Sequence, residues 1–397
     1  MSEAKRAAEI AARDSYGRLL AFLSTRTKDI ALAEDVLADA FMKALDTWPE
    51  TGVPDNPDAW LLTTARNRLT DHQRRDTRTS VQSEFPEIPM IENKNALEDR
   101  RLELLMVCAH PSIAADLHTP LMLQTVLGIK AETIAQLFLI SPPALAKRLV
   151  RAKAKIRDAG IPFEVPDKEN LQERSGAIFE AVYALHAHDW LDPADGLGEE
   201  ALYLANLLCK FLPDNAEALG LAALISLSHA RRDARVVDGV LVPIEEQDTQ
   251  AWDAELVSYG NNMLARAHQL SSIGRFQIEA AIESVHVARK KTGVTDWAAL
   301  QQLFYALVKL SPTAGAMVSQ AVVTANNHGI KAGLTMLDEI EKQIGARFQP
   351  LWAARAELLS RSGKIQEALR SYDKAISLTT DIPVLRFLRV KRSKLDQ

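Results

Sequence analysis

The stretch Pro57–Arg78, PDAWLLTTARNRLTDHQRRDTR, has the pattern of one long helix with two different faces. Leu61, Ala65 and Leu69 recur at helical spacing and predict a narrow buried stripe. Asn56 suits the N-cap position, and the proline that follows it suits the first helical residue, where a missing N–H costs nothing. The remaining surface is rich in arginine, asparagine and threonine. The stretch therefore predicts an exposed cationic face roughly 20 Å long.

The composition indicates a globular protein with more than one domain. The 397 residues exceed one ordinary core, and 47% are hydrophobic and 25% charged. The net charge of −5 excludes a general affinity for nucleic acid, so any DNA contact requires a local cluster of cations. No apolar run approaches the roughly 18 residues that span a membrane, and the N-terminus lacks an apolar signal core. These features predict a cytoplasmic protein without membrane contact.

The chain reads as all-α and falls into three helical blocks. Two small helical domains are predicted at 8–76 and 98–160, joined by an acidic linker of low periodicity at 77–97. The segment IPFEVP then interrupts helix twice with proline and marks a boundary. A helical extension is predicted from there, at 167–397.

The extension contains an internal period of 34 residues, which separates Gly329 from Gly363. The best unit is LWAARAELLSRSGKIQEALRSYDKAISL at 351–378. Six of its residues fall at the offsets of a tetratricopeptide repeat: Trp352, Ala356, Gly363, Ala368, Tyr372 and Ala375. PDNAEALGLAALISL resembles the first helix of another unit, but HARRDARVVDGVLVPIEEQ replaces its second helix. The pattern predicts a helical array that is degenerate at this point.

The second domain ends in a cationic helix that follows a tight turn, within AETIAQLFLISPPALAKRLVRAKAKIRDAG at 131–160. Ser141 suits its N-cap and Pro142 its first residue. The predicted buried stripe is Leu145, Leu149, Ala152 and Ile156. The cations at other positions are Lys147, Arg148, Arg151, Lys153, Lys155 and Arg157. This matches helix-turn-helix geometry, in which the second helix enters the major groove, although a solvated helix with incidental cations remains an alternative.

No catalytic or metal-binding pattern is present in the sequence. There is no phosphate-binding glycine loop and no nucleophile with a partner base. Cys108 and Cys209 lie far apart, which argues against a disulfide framework. Cys108, His110 and His118 lack the paired ligand motifs of a zinc site. We therefore expect neither an enzyme nor a bound metal or cofactor.

Residues 16–160 resemble a bacterial RNA polymerase sigma factor of the extracytoplasmic-function class, the minimal two-domain type. LAEDVLADAFMKALDTW is similar to the family helix that docks on the beta-prime clamp of RNA polymerase. AWLLTTARNRLTDHQRR is similar to the helix that melts and reads the minus-ten element. TPLMLQTVLGIKAETIAQLFLISPPALAKRLVRAKAKIR is similar to the domain that reads the minus-thirty-five element. VCAHP and the long helical tail resemble the subgroup with a C-terminal tetratricopeptide-like extension.

The resemblance implies a transcription initiation factor that binds core RNA polymerase and promoter DNA. The implied polymerase-docking residues are Asp35, Asp39, Met42 and Lys43. They lie away from a predicted buried stripe of Val36, Ala40, Ala44 and Trp48. The implied minus-ten contacts are Arg66, Asn67, Arg68, Arg74 and Arg75. The implied minus-thirty-five contacts are Ser141, Ala144, Lys147, Arg148 and Arg151.

Several interpretations stay open at the level of sequence. Trp60 is either a melting wedge or, more in keeping with large aromatics, a core residue. Glu84, Glu87 and Glu92 either follow the nucleic-acid channel of the polymerase or are ordinary exposed acids. The extension, with 25 basic and 30 acidic residues in 161–397, is expected to contact the sigma domains, the polymerase or another protein rather than DNA.

Two other functions are compatible with parts of the pattern. The first is a helix-turn-helix repressor or activator with a helical sensor domain, which binds duplex DNA alone. The second is a tetratricopeptide scaffold whose N-terminal half only packs. Neither gives a role to the arginine-rich helix after Pro57 or to the acidic helix before it.

Overall fold

The computed structural model describes residues 3–76, 99–138, 140–191 and 197–396, and the side chains of all of these except 3–14, 72–76, 136–137, 168 and 190–191. The described residues form nineteen α-helices and one short β-hairpin. The all-α class is confirmed. The fold divides into two compact units, Met1–Leu185 (unit 1) and His186–Gln397 (unit 2). Both predicted sigma domains lie within unit 1, and their finer boundaries stay predictions.

Unit 1 is built from seven helices and most of an eighth. They are α1 (Glu3–Thr27), α2 (Ile30–Thr51), α3 (Pro57–Asp76), α4 (Arg101–Cys108), α5 (Ala115–Thr125), α6 (Ala131–Leu137), α7 (Pro142–Asp158) and the first part of α8 (Lys168–Leu191). The linker prediction at 77–97, with Glu84, Glu87 and Glu92, lies outside the described residues. Helix α4 is buried along its whole length, and Arg174 of α8 donates a hydrogen bond to the Met106 carbonyl at 3.2 Å.

The predicted buried stripes are confirmed in all three helices of interest. In α2 the stripe residues are at most 1% exposed: Val36, Ala40, Ala44 and Trp48. In α3 they are at most 5% exposed: Leu61, Ala65 and Leu69. In α7 they are also at most 5% exposed: Leu145, Leu149, Ala152 and Ile156. Helical periodicity therefore orients each helix correctly.

The two predicted sigma domains pack directly against each other within unit 1. A Cβ atom added at Gly17 in α1 would lie 1.9 Å from the carbonyl oxygen of Val126, which follows α5. Gly128 has φ +65°, and a Cβ there would lie 3.1 Å from the ring of Tyr16. Glycine thus lets the backbones approach at one of these points and supplies a left-handed turn at the other.

Unit 2 begins within α8 and continues through eleven further helices. They are α9 (Leu197–Phe211), α10 (Ala216–His229), α11 (Arg232–Arg235), α12 (Ala254–Gln269), α13 (Arg275–Thr292), α14 (Trp297–Leu310), α15 (Ala314–His328), α16 (Ile330–Ile344), α17 (Gln349–Arg361), α18 (Ile365–Ser377) and α19 (Ile382–Ser393). From α12 onward each helix packs on the next, as in a helical-repeat array.

The predicted repeat at 351–378 forms the hairpin of α17 and α18. Gly363 lies in the turn between the two helices with φ +78°, a left-handed conformation that favours glycine. Ala356, Tyr372 and Ala375 are at most 2% exposed and share one cluster with Leu388 of α19. The repeat residues therefore form the contact between the two helices and with the helix that follows.

The degenerate unit contains the non-helical insertion expected from its sequence. Residues 236–251, called here the hairpin segment, contain β1 (Val236–Val237), β2 (Val240–Leu241) and two 3₁₀ turns (Ile244–Glu246 and Thr249–Ala251). The segment reaches α19, where Arg386 donates to the Gly239 carbonyl at 3.3 Å and Lys391 pairs with Glu246 at 2.9 Å. The hairpin segment is thus bonded to α19, the last helix of the array.

Among the described residues, no helix combines the length and the apolarity that crossing a membrane requires. The same residues include no group of three or more His, Cys, Asp and Glu side chains placed to hold a metal ion.

Candidate polymerase and promoter interface

The four predicted polymerase-docking residues form one exposed face of α2. Asp29 caps the helix by accepting hydrogen bonds from Ala31 at 2.9 Å and Leu32 at 3.2 Å. Because the stripe through Val36 and Trp48 is buried, the opposite side is presented to solvent. The exposed face consists of Asp35, Asp39, Met42 and Lys43. Met42 is 62% exposed, which leaves an adaptable apolar contact among charges.

Helix α3 presents the central part of the predicted minus-ten face. Asn56 accepts a hydrogen bond from the Ala59 amide at 3.2 Å and so caps the helix as expected. Asn67 and Arg68 are exposed, and Arg66 is half-buried. Arg68 lies 3.7 Å from Asp39 of α2, which places one predicted DNA contact beside one predicted polymerase contact.

Two further predicted minus-ten contacts, Arg74 and Arg75, belong to the last turns of α3, but their side chains lie outside the described residues. Trp60, on the first turn of the same helix, is half-buried and packs edge-on against Trp48 with 5.5 Å between ring centroids. This contact favours a packing role for Trp60.

Helix α7 carries an exposed cationic stripe that we name the recognition face: Lys147, Arg151 and Lys155. These residues are four apart, so they line one side of the helix over about 12 Å. All three are exposed, and no ion pair to another described residue involves them. Ala144 is exposed one turn earlier. The face can therefore approach a phosphate backbone without first losing an ionic partner.

The other predicted residues of α7 have more constrained surroundings. Arg148 is half-buried and forms an ion pair with Asp116 of α5. Ser141 is exposed and its backbone carbonyl accepts from Ala144 and Leu145, but its side chain makes no capping hydrogen bond. Ser141 holds the N-cap position and Pro142 the first helical position as expected; the hydroxyl of Ser141 caps nothing, because Pro143 has no amide hydrogen and the Ala144 amide donates to the Ser141 carbonyl instead.

Lys153 does not face solvent with the other cations of α7. It lies four residues after Leu149, about 40° round the helix, and this flank packs on α2. Its side chain is 7% exposed, and its ammonium lies 2.6 Å and 2.7 Å from the two carboxylate oxygens of Glu34. Arg157, one turn further, lies 3.6 Å from Asp29. A buried ion pair therefore joins α2 to α7.

The surroundings of Glu34 shift the ionisation of its neighbours. Burial raises the pKa of Glu34, although Lys153 opposes the rise. Burial, with a smaller contribution from Glu34, raises the pKa of Tyr16. Burial also raises the pKa of the Cys108 thiol to about 12. This thiol is fully buried 3.4 Å from the Thr125 hydroxyl, so it is inert rather than reactive.

Comparison with known proteins identifies a transcription-factor domain in the N-terminal part of the chain. Residues 12–79 match the Sigma-70 region 2 domain, and residues 174–268 match a family of unknown function (DUF6596). Along almost the full length, the chain is 31% identical over 385 residues to the uncharacterized protein R00370 of Rhizobium meliloti (strain 1021). The alignment covers 93% of this chain and 91% of the rhizobial protein. The chain belongs to the family of that rhizobial protein.

A solved structure, the crystal structure of yeast Tom70, aligns with 99% of this chain and 85% of its own, at 10% identity and a TM-score of 0.35. That score is too low to support any inference about this protein.

The Sigma-70 match bears directly on the residues described above. A region 2 domain implies binding to core RNA polymerase and to promoter DNA, and Sigma-70 factors are non-enzymatic initiation factors. The match at 12–79 includes α2 and α3 with their exposed faces. It ends before α7, so the recognition face of α7 lies outside it.

Sequence reasoning missed the residues that hold the interface together. Glu34 and Lys153 are 119 positions apart, and nothing in either local pattern pairs them. A weak signal is present, since Lys153 flanks the buried stripe of α7 and Glu34 lies two residues before Val36. The close contact of Gly17 with Val126 has a similar signal, namely a glycine inside an otherwise ordinary helix.

Proposed function

We propose that the protein is an RNA polymerase sigma factor of the extracytoplasmic-function class with a fused regulatory extension. The observation that carries this proposal is the unpaired recognition face of α7, which lies in the same compact unit as a Sigma-70 region 2 domain. A conventional helix-turn-helix regulator needs a recognition helix but has no use for a region 2 domain.

In this proposal each exposed face has one partner. The face of α2 with Asp35, Asp39, Met42 and Lys43 docks on the beta-prime clamp of core polymerase, with charge guiding the encounter. The minus-ten element is opened and read by α3, through Arg66, Asn67, Arg68, Arg74 and Arg75. The minus-thirty-five element is read in the major groove by α7, through Ser141, Ala144, Lys147, Arg148 and Arg151.

Run-off transcription from genomic DNA with core RNA polymerase tests the proposal directly. Specific initiation that depends on both core enzyme and this protein supports a sigma factor. Binding to a duplex operator without core enzyme supports a helix-turn-helix regulator, and neither activity supports a scaffold. The same assay should compare the full chain with a version that ends at residue 185, the end of unit 1, so that the contact of Arg174 with Met106 is kept. Equal activity and promoter choice by both lengths would reject regulation by the extension.

Replacing Lys147 and Arg151 together with alanine is expected to weaken binding to the upstream element and to flatten its salt dependence. Each lost phosphate contact reduces the slope of log K against log salt by about 0.9, so the pair should reduce it by no more than about 1.8. The measurement is a fluorescence-anisotropy titration of labelled promoter DNA with the complex of core polymerase and this protein, at several salt concentrations.

The control for this change is Arg157→Ala, because Arg157 lies beside Asp158 and Asp29 on a different flank of α7. Its salt slope should match the wild type.

Arg66→Ala in α3 should spare duplex capture and impair strand opening, as detected by permanganate footprinting. Indistinguishable behaviour of the α3 and α7 variants would contradict the proposed division between the helices.

Promoter binding in this proposal requires α7 to leave α2. The minus-thirty-five and minus-ten elements are centred about 25 base pairs apart on the promoter, or roughly 85 Å at 3.4 Å per base pair. In the described structure α7 packs on α2 through Lys153 and Glu34. The free protein is therefore closed, and assembly with core polymerase and promoter separates the two modules.

We expect energy transfer between dyes on α3 and α7 to fall when core polymerase and promoter are both added. Thr63→Cys and Val150→Cys place the dyes at exposed positions, and the buried native thiols of Cys108 and Cys209 leave labelling selective. Promoter without core enzyme is the control and should leave transfer high. Unchanged transfer in the transcribing complex would exclude the separation.

A further inference from the structure

Unit 2 contains a cavity of about 540 Å³ between the hairpin segment and the helices of the array. This volume is within the range of roughly 300–1,000 Å³ that is usual for small-molecule sites. Its walls come from the hairpin segment and from α14, α15, α17, α18 and α19. The site therefore joins elements that are distant in sequence.

The hairpin segment limits what this cavity can accept. It is held across the array by Arg289, which donates to the carbonyls of Ile244 at 2.6 Å and Gln247 at 3.2 Å, and by Lys391 on Glu246. A bound helix would need a groove about 10–12 Å wide along its length. Because the protein's own chain lies there, the remaining space suits a small molecule rather than a peptide helix.

The walls of the cavity combine aromatic rings with three carboxylates. Trp297, Tyr372 and Phe387 supply the rings. Three glutamates, Glu245, Glu246 and Glu357, line the same space as Arg361 and Lys391, and Arg289 lies close to Glu245 from outside the lining. A hydrogen bond from His286 holds the pKa of Glu245 below its ordinary value, so this carboxylate stays charged. Aromatic faces beside carboxylates attract organic cations.

Lys391 already shows how the cavity holds a positive charge. Its ammonium lies 5.6 Å from the centroid of the Phe387 ring, 2.9 Å from Glu246 and 4.0 Å from Glu357. The nearer partner of Glu357 is neutral, since the Tyr372 hydroxyl donates to it at 3.1 Å. Glu357 is also 45% exposed, so it is accessible to a ligand.

We propose that this cavity binds a small hydrophobic amine, protonated at neutral pH. Its ammonium pairs with Glu357, and its apolar part packs against Trp297 and Phe387. Such a ligand gives Glu357, whose direct hydrogen-bond donor is the neutral Tyr372 hydroxyl, a close cationic partner, and it covers the aromatic walls. The assignment depends only on unit 2 and is independent of the polymerase and promoter contacts proposed for unit 1.

Isothermal titration calorimetry of the full chain with three naphthalene probes tests this proposal. The probes share one ring system and differ in one group: naphthylmethylamine, naphthylmethanol and naphthoic acid. The amine should bind best, about tenfold or more tighter than the alcohol, because one charge-assisted hydrogen bond has roughly that effect. Tightest binding by the acid, or no saturable binding by any probe, would overturn the proposal.

Two variants separate the charge from the shape of the site. Glu357→Gln keeps the size and an acceptor for Tyr372, so it should lower amine affinity to that of the alcohol and leave the alcohol unchanged. Glu339→Gln removes an exposed carboxylate of α16 outside the cavity and should change nothing. Equal amine affinity in the Glu357 variant and the wild type would show that the carboxylate does not recognise the ligand.

Discussion

Lys153→Ala is expected to destabilise unit 1 by about 3 kcal/mol, because it leaves the mostly buried Glu34 carboxylate without its cationic partner. The Lys153 side chain is 7% exposed and that of Glu34 is 22% exposed. The residual exposure of Glu34 places the expected value at the low end for buried pairs. Urea titration followed by hydrogen exchange of α2 and α7 amides measures the loss and locates it.

The pH dependence of this variant provides an internal check. Burial raises the pKa of Glu34, and removal of Lys153 should raise it further. A carboxyl with a raised folded-state pKa favours the folded state more as pH falls, since the folded state then binds the proton more tightly. The variant should therefore recover stability on acidification, and the second change Glu34→Gln should restore much of it at neutral pH.

Arg157→Ala is the matched control for the same helix. Arg157 is half-exposed and pairs with Asp29 and Asp158 at the surface, where an ion pair contributes about 0–1 kcal/mol. Equal losses for the two variants would show that the pair between Lys153 and Glu34 does not join α2 to α7 in solution.

Unit 2 is expected to lose about 3 kcal/mol of stability between pH 6.5 and pH 4 through His186 alone. Burial lowers the pKa of His186 to about 4. The charged and titratable groups around it are Arg235, Glu283, His229 and Arg231. In this pH window the unfolded chain binds a proton at His186 that the folded chain does not, so stability falls as pH falls.

The measurement is the difference in unfolding free energy between wild type and His186→Leu across this pH range. The variant cannot bind the proton in either state, so its stability should depend less on pH. His268→Gln, at an exposed position of α12, is the control and should keep the wild-type dependence. Parallel curves for wild type and His186→Leu would contradict a buried neutral histidine.

Helical periodicity predicted the orientation of α2, α3 and α7, because burial at every third or fourth residue is a local property. It therefore also predicted which side chains face solvent, including Met42, Arg68, Lys147 and Arg151. The capping of α3 by Asn56 was equally predictable, since the N-cap and the amide it accepts from are three residues apart.

The pairing of these helices could not be predicted in the same way. Lys153 and Lys155 lie on opposite flanks of the α7 stripe, and only the position of α2 decides that the first is buried. Arg148 and Arg68 likewise have acidic neighbours, Asp116 and Asp39, from other helices. Such contacts depend on tertiary packing, which a single helical pattern does not encode.

The cavity in unit 2 was beyond sequence reasoning for a related reason. The sequence indicated that HARRDARVVDGVLVPIEEQ stands where a repeat would have its second helix. It did not indicate which helices this segment contacts. The contact of Glu246 with Lys391 closes a loop of 145 residues, and no periodicity connects its two ends.

The hairpin segment also alters how the array should melt. A linear stack of repeats has only nearest-neighbour contacts, so its last helix frays first and disorder spreads inward. Here Arg386 and Lys391 tie that last helix to residues 239 and 246, close to the start of the stack. Detaching α19 therefore also breaks its contacts with the hairpin segment. We expect the two ends of the array to unfold together rather than one after the other.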